Sequence, residues 1–101
     1  MFKLESAEKI KGTYDNKKVD LDRYNIEITS PVATKEYTVN VDFINKSITG
    51  DCIKYGSRYI LESDECMDLL KVIVENNKPL RDFSMIIEKI EKNTTKFIKK
   101  I

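Results

Sequence analysis

Alternation of apolar and polar residues between Lys35 and Ile44 constrains this chain more than any other feature. Tyr37, Val39, Val41 and Phe43 fall on one side of an extended chain, and Glu36, Thr38, Asn40 and Asp42 on the other. A period of two marks a strand with one face on a core and one in water. Residues 19–29 repeat the pattern, with Tyr24, Ile26 and Ile28 facing in and Asn25, Glu27 and Thr29 facing out. Ser30-Pro31 starts the turn between them, because proline fixes φ and biases its predecessor away from helix. The two strands are therefore predicted to pair antiparallel across a short loop.

The flanking segments extend this into a meander. Phe2, Leu4 and Ile10 alternate imperfectly, predicting a strand at about 2–13 that reaches a turn at Asp15-Asn16. Asn45-Lys46 offers another tight turn. Ser47 to Tyr55 reads as a strand whose face switches at a bulge near Gly50-Asp51. Gly56-Ser57 makes the next turn, and Arg58 to Leu61 form a short last strand. Four or five strands are expected within about 2–62.

Two helices follow in the reading. Ser63 is placed as N-cap, with Asp64 and Glu65 at the positive end of the helix dipole. Cys66, Leu69, Leu70, Ile73 and Val74 recur at helical spacing, giving a helix at about 64–77 with one buried stripe, an Asn76-Asn77 C-cap and a stop at Pro79. Leu80, Phe83, Ile87, Ile90, Thr94, Phe97 and Ile101, widened by Ile86 and Ile98, predict a second helix at about 80–100. At 101 residues there is room for one core, so the expectation is a single α+β domain. Its antiparallel sheet carries both C-terminal helices on one face.

The residues available for chemistry are few. The chain has no His, which removes the commonest general base and transition-metal ligand. Gly12, Gly50 and Gly56 are scattered singly, so no phosphate-cradling loop is present, and no C-x-x-C occurs. Asp15, Asp20 and Asp22 lack the spacing of a calcium loop. Cys52 and Cys66 do not make an ordinary zinc site by themselves. They are read as two small buried hydrophobes, or as one disulfide if the chain is exported. No catalytic set, metal site or cofactor is expected. No run of 18 apolar residues is present, and the start of the chain has no leader-like stretch, so a cytoplasmic, non-membrane protein is expected.

Charge is sorted along the chain. Residues 1–18 sum to +2, residues 19–68 to −5 and residues 69–101 to +4, within an overall +1. The acidic middle falls on the strands. Glu27, Glu36, Asn40 and Asp42 are expected on one polar sheet face, with Asp20, Asp22 and Asp51 extending it if the register allows. Such a face suits a basic protein partner. Tyr55, Arg58 and Tyr59 around Gly56 are candidate contact residues, since Tyr and Arg are enriched at interface hot spots. One of the two tyrosines is expected in the core. The function expected is a non-catalytic protein-binding module, an inhibitor or immunity-type antidote to a basic partner such as a nuclease toxin. The alternative is a small nucleic-acid-binding or regulatory protein using Lys92, Lys96 and Lys99 of the basic last helix. A pI of 7.7 and three scattered Arg count against nucleic acid. The 3–4 spacing of that helix also fits a homodimer seam.

Overall fold

The computed structural model describes residues 1–76 and 79–99, with side chains described as far as Lys92. Five strands form one antiparallel meander: β1 (Phe2–Tyr14), β2 (Lys17–Thr29), β3 (Thr34–Asp42), β4 (Ser47–Lys54) and β5 (Ser57–Ile60). Two helices follow, α1 (Ser63–Asn76) and α2 (Ser84–Lys99). The expected α+β architecture is present.

Turn chemistry sets the hairpins. Asp15 (φ 49°) and Asn16 (φ 64°) are both left-handed, as a two-residue hairpin loop of the favoured twist requires. Tyr55 (φ 52°) and Gly56 (φ 77°) do the same between β4 and β5. The β3–β4 turn is held by Asp42. Its carboxylate accepts from the Ile44 and Asn45 N–H groups at 2.9 and 3.1 Å, and from Asn45 Nδ2 at 2.6 Å.

The core lies between one sheet face and the helices. Tyr24, Ile26, Val39, Val41 and Ile48 meet Cys66, Leu69, Leu70 and Ile73 of α1, Phe83 just before α2 and Ile86 in its first turn. The alternation predicted for β2 and β3 is therefore the one observed. Ile87 and Ile90 pack against the same cluster, so this part of the α2 stripe is used on the core rather than left as a homodimer seam. Asn77, Lys100 and Ile101, and the side chains of Thr94, Lys96, Phe97, Ile98 and Lys99, for which expectations were given, lie outside the described residues.

Three local expectations are corrected. β3 and β4 pair without interruption from Glu36↔Ile53 to Asp42↔Ser47, so Gly50 is not at a bulge. It is instead a close approach: a Cβ there would lie 2.7 Å from the Thr38 carbonyl oxygen and 3.1 Å from Cys66 Sγ. The bulge sits in β1, between Leu4 and Ser6. Ser63 is the first helical residue rather than the N-cap. The Glu62 carbonyl accepts from Cys66 N–H at 3.1 Å, and Glu65 Oε1 reaches back to Glu62 N–H at 3.3 Å, the reciprocal half of a capping box. Finally, α2 begins at Ser84, after an Asp82 carboxylate that accepts from Ser84 N–H at 2.9 Å. Residues 79–83 form a connection that runs over the sheet.

That connection is fastened by Arg81. Its guanidinium donates to Asp22 from Nε and Nη2 at 2.6–3.2 Å, and to Asp20 from Nη1 and Nη2 at 3.0 and 2.8 Å. It also lies 3.9 Å from the centre of the Phe43 ring. The next residue back, Leu80, donates its N–H to the Tyr24 hydroxyl at 3.1 Å. Asp22 is 0% exposed. Hydrogen bonding from Arg81 holds the Asp20 carboxyl below its usual range, and both aspartates push Arg81 further up.

Removing one partner of a buried ion pair leaves the other uncompensated. Arg81→Met is expected to cost about 3 kcal/mol or more through the stranded Asp22 carboxylate, which thermal unfolding reads as a fall in Tm of roughly 12 °C or more. Because the Asp20 pKa is lowered on folding, its share of stability is present above the ordinary aspartate range and is lost as pH falls through the folded value. Acid titration of the wild type is therefore expected to show a larger loss at low pH than that of Arg81→Met, which lacks the Asp20 share. Gly50→Ala is expected to cost about 1–3 kcal/mol by overpacking the sheet against α1, measured by chemical denaturation.

Candidate functional site

The sheet face away from the helices is polar, and its residues follow from the strand phases. β2 supplies Arg23, Asn25 and Glu27; β3 supplies Glu36, Thr38, Asn40 and Asp42; β4 supplies Thr49 and Asp51. The register places Glu27 opposite Glu36, Asn25 opposite Thr38, and Thr38 opposite Asp51. β1 adds Lys3 opposite Glu27 and Glu8 opposite Arg23, with Glu5 at the bulge. β5 adds Arg58 and Ile60, opposite Ile53 and Asp51. Carboxylates outnumber cations across this surface.

The centre of the face is knit by neutral hydrogen bonds. Thr38 Oγ1 donates to Asn25 Oδ1 at 2.9 Å, and Asn25 Nδ2 donates to Ser6 Oγ at 2.8 Å. Arg23 Nε donates to Asn40 Oδ1 at 2.8 Å. Two shallow recesses lie along these rows. One, of about 420 Å³, is bounded by Glu5, Asn25, Glu27, Glu36, Thr38 and Ile53. The other, of about 350 Å³, is bounded by Glu8, Arg23, Asn40, Asp51 and Arg58, among others.

The acids do different jobs. Glu27 and Glu36 sit side by side, and Glu5 joins them from β1. A hydrogen bond shared with Glu27 is the main cause that raises the Glu5 pKa, and the same bond, with help from Thr29, lowers that of Glu27. Asp42 is on the same face but about 20 Å further along β3, at ~3.3 Å per residue, and it closes its own turn. Asp51 pairs with Arg58 at 3.6 Å. The expectation for Asp20 and Asp22 is overturned: both point to the helix side, where Arg81 holds them. Negative charge is thus concentrated at the Glu5–Glu27–Glu36 corner, where Lys3 lies 3.7 Å from Glu5.

Tyr55, Arg58 and Tyr59 cluster at the β4–β5 turn, and neither tyrosine is in the core. Tyr55 is 76% exposed at the turn itself, with the Lys54 ammonium 5.2 Å from its ring centre. Tyr59 has the phase of an inward residue, opposite Cys52, yet is 54% exposed, since no helix packs broadly on β5. Tyr37, Tyr55 and Tyr59 line an open cleft of about 580 Å³ there, with Lys35, Lys54 and Glu65 at its rim.

Glu5 and Glu8 were missed by sequence reasoning. Plain alternation from Leu4 would turn Glu8 inward and leave Ala7 outward. The bulge reverses that phase, so that Ala7 faces the core and Glu8 the acidic surface. Also unforeseen is an apolar groove of about 570 Å³ between α1 and the connection, lined by Val74, Pro79, Leu80, Phe83 and Ile87. Of its polar neighbours, Lys71 is paired with Glu91 and Ser84 with Asp82.

Cys52 and Cys66 are free thiols, both buried. Burial pushes the Cys66 thiol up to about 11, away from the thiolate that a nucleophile needs. Among the described residues no three His, Cys, Asp or Glu groups are placed to hold a metal ion. No described helix is long and apolar enough to cross a membrane. The chain matches no family model, no curated protein and no solved structure.

The carboxyl pair makes a direct prediction. In a carbon-detected NMR titration, Glu5 is expected to titrate above the ordinary glutamate range and Glu27 below it. Glu5→Gln, which keeps a donor to Glu27 and removes a charge, should bring the Tm at neutral pH above that of the wild type. Ordinary titration of both groups would show that the shared hydrogen bond does not form.

Proposed function

We propose that this chain is a non-catalytic protein-binding module that docks a basic partner on the open face of its sheet. In the specific form favoured here, it is an inhibitor or immunity-type antidote whose partner is a cationic protein such as a nuclease toxin. The observation that carries the reading is the Glu5–Glu27–Glu36 corner. Like charges directly opposite in a sheet are destabilising, and among the described residues Lys3 is the cation that stands beside them. A cationic partner relieves that repulsion on binding, so the free fold holds charge poised for a complementary surface. The neutral centre, Asn25, Thr38 and Asn40, supplies donors and acceptors in fixed positions. Arg58 extends the contact at one end of that face, whereas Tyr59 and the cleft it shares with Tyr55 lie on the helix side.

The nucleic-acid alternative draws less support. Of the lysines invoked for it, Lys92 is 3.1 Å from Glu88 on its own helix, and the side chains of Lys96 and Lys99 lie outside the described residues.

The test is comparative capture from the native cell extract by the wild type and by Glu27→Lys/Glu36→Lys. Both positions are on the solvent face, so the melting temperature is expected to hold within a few degrees. Partner affinity, measured on the captured protein, is expected to fall at least tenfold and to weaken with added salt. Equal affinity of the two forms would remove the acidic corner as the binding surface.

A further inference from the structure

The two edges of the sheet are finished differently. β1 is long, but it carries Lys3, Lys9 and Lys11 and the bulge after Leu4, devices that discourage a free edge from pairing. β5 has no lysine, proline or bulge, and all four of its residues are exposed. Ile60 is 88% exposed.

The pairing phase of β5 shows which backbone groups are free. Leu61 N–H donates to the Gly50 carbonyl at 3.0 Å, and Tyr59 and Ser57 stand opposite Cys52 and Lys54. Bonded and unbonded residues alternate along an antiparallel ladder. Ser57, Tyr59 and Leu61 therefore bond toward β4, and the N–H and C=O of Arg58 and Ile60 are directed to the open edge.

Charge along this edge is polar as well. Arg58 stands near the start of the strand, and Glu62, Asp64 and Glu65 follow its end. Antiparallel pairing of β5 with another β5 lays the basic end of each on the acidic end of the other. Such a surface is self-complementary, as a two-fold interface must be.

We propose that β5 is a homodimer edge, on which a second copy of this chain pairs its own β5 antiparallel about a two-fold axis at Tyr59. The backbone chooses the register. Arg58 pairs with Ile60 of the second copy and Ile60 with its Arg58, using only groups that are free. A register one pair further along would need the Glu62 N–H, which already donates to Glu65. In the chosen register Glu62 faces Gly56 of the second copy and is diagonal to its Arg58, within reach of long side chains. An edge of four residues buries little area, so the dimer is weak and depends on concentration.

Sedimentation equilibrium of the whole chain, from micromolar to millimolar concentration, tests this. Dimer is expected to grow with concentration. Ile60→Lys, at an exposed position, should weaken it about tenfold or more, as should Arg58→Glu and Glu62→Arg separately. The double variant Arg58→Glu/Glu62→Arg should recover the wild-type association, with circular dichroism melts confirming that each variant is folded. Amide exchange at Arg58 and Ile60 should slow as dimer forms. A monomer at every concentration, a dimer that Ile60→Lys leaves intact, or a charge swap that fails to restore association would each overturn the proposal.

Discussion

Arg81 decides how the layers of this molecule sit. The α1–α2 connection crosses the sheet where Asp22 lies fully buried beside Tyr24, and a lone carboxylate in that position is costly. Five hydrogen bonds from the three guanidinium nitrogens to two aspartates, with Phe43 beneath, satisfy it. The Leu80 bond to the Tyr24 hydroxyl adds a second fixed point. Beside these two anchors, Tyr24 and Phe83 meet edge to face with ring centres 6.1 Å apart. Ion clusters of this kind contribute more to choosing one arrangement than to net stability. Here the arrangement chosen is where α2 begins, and with it which sheet face stays open.

How much of this was legible in the sequence depended on whether the signal was local. The phases of β2 and β3 could be read because period-2 alternation is written residue by residue. The same phase puts Asp20 and Asp22 with Tyr24 and Ile26, but a cation some sixty positions away is invisible to alternation, so the sequence left open a place for the two aspartates on the acidic face that the structure denies them. β1 was hard to read because one extra residue at Glu5 reverses its faces midway. Gly50 was noticed but misattributed: a glycine in a strand signals either a bulge or a close approach, and only packing against Cys66 separates the two. Tyr59 has the phase of a core residue. Its exposure depends on how far α1 extends, which is a tertiary fact.

The open face is unevenly charged in a way that solubility alone does not require. Elsewhere on it, acids and bases alternate: Glu8 stands opposite Arg23, and Arg58 pairs with Asp51. At the Glu27–Glu36 step this mixing fails, and Glu5 adds to the same corner. Asp42, which seemed equivalent in sequence, is spent on its turn. A partner that recognises charge would therefore find one strong point and a neutral, hydrogen-bonding field beside it, which is a more specific target than a uniformly acidic sheet.

The edge and the face act together if both proposals hold. A two-fold axis at Tyr59 that joins β5 to β5 edge to edge runs normal to the sheet. Rotation about such an axis keeps each face on its own side. The two open faces would then form one continuous surface, with both helix layers behind it. The Arg58–Glu62 pairs would sit at its middle and a Glu5–Glu27–Glu36 corner toward each flank. Each copy would offer its corner to the same kind of cationic partner, so a partner with two basic sites would bind with an effective concentration set by the rigid sheet rather than by a flexible linker. The weak strand pairing would in turn be strengthened by any partner that spans both corners, because a ligand that binds the dimer better than the monomer shifts the association toward dimer.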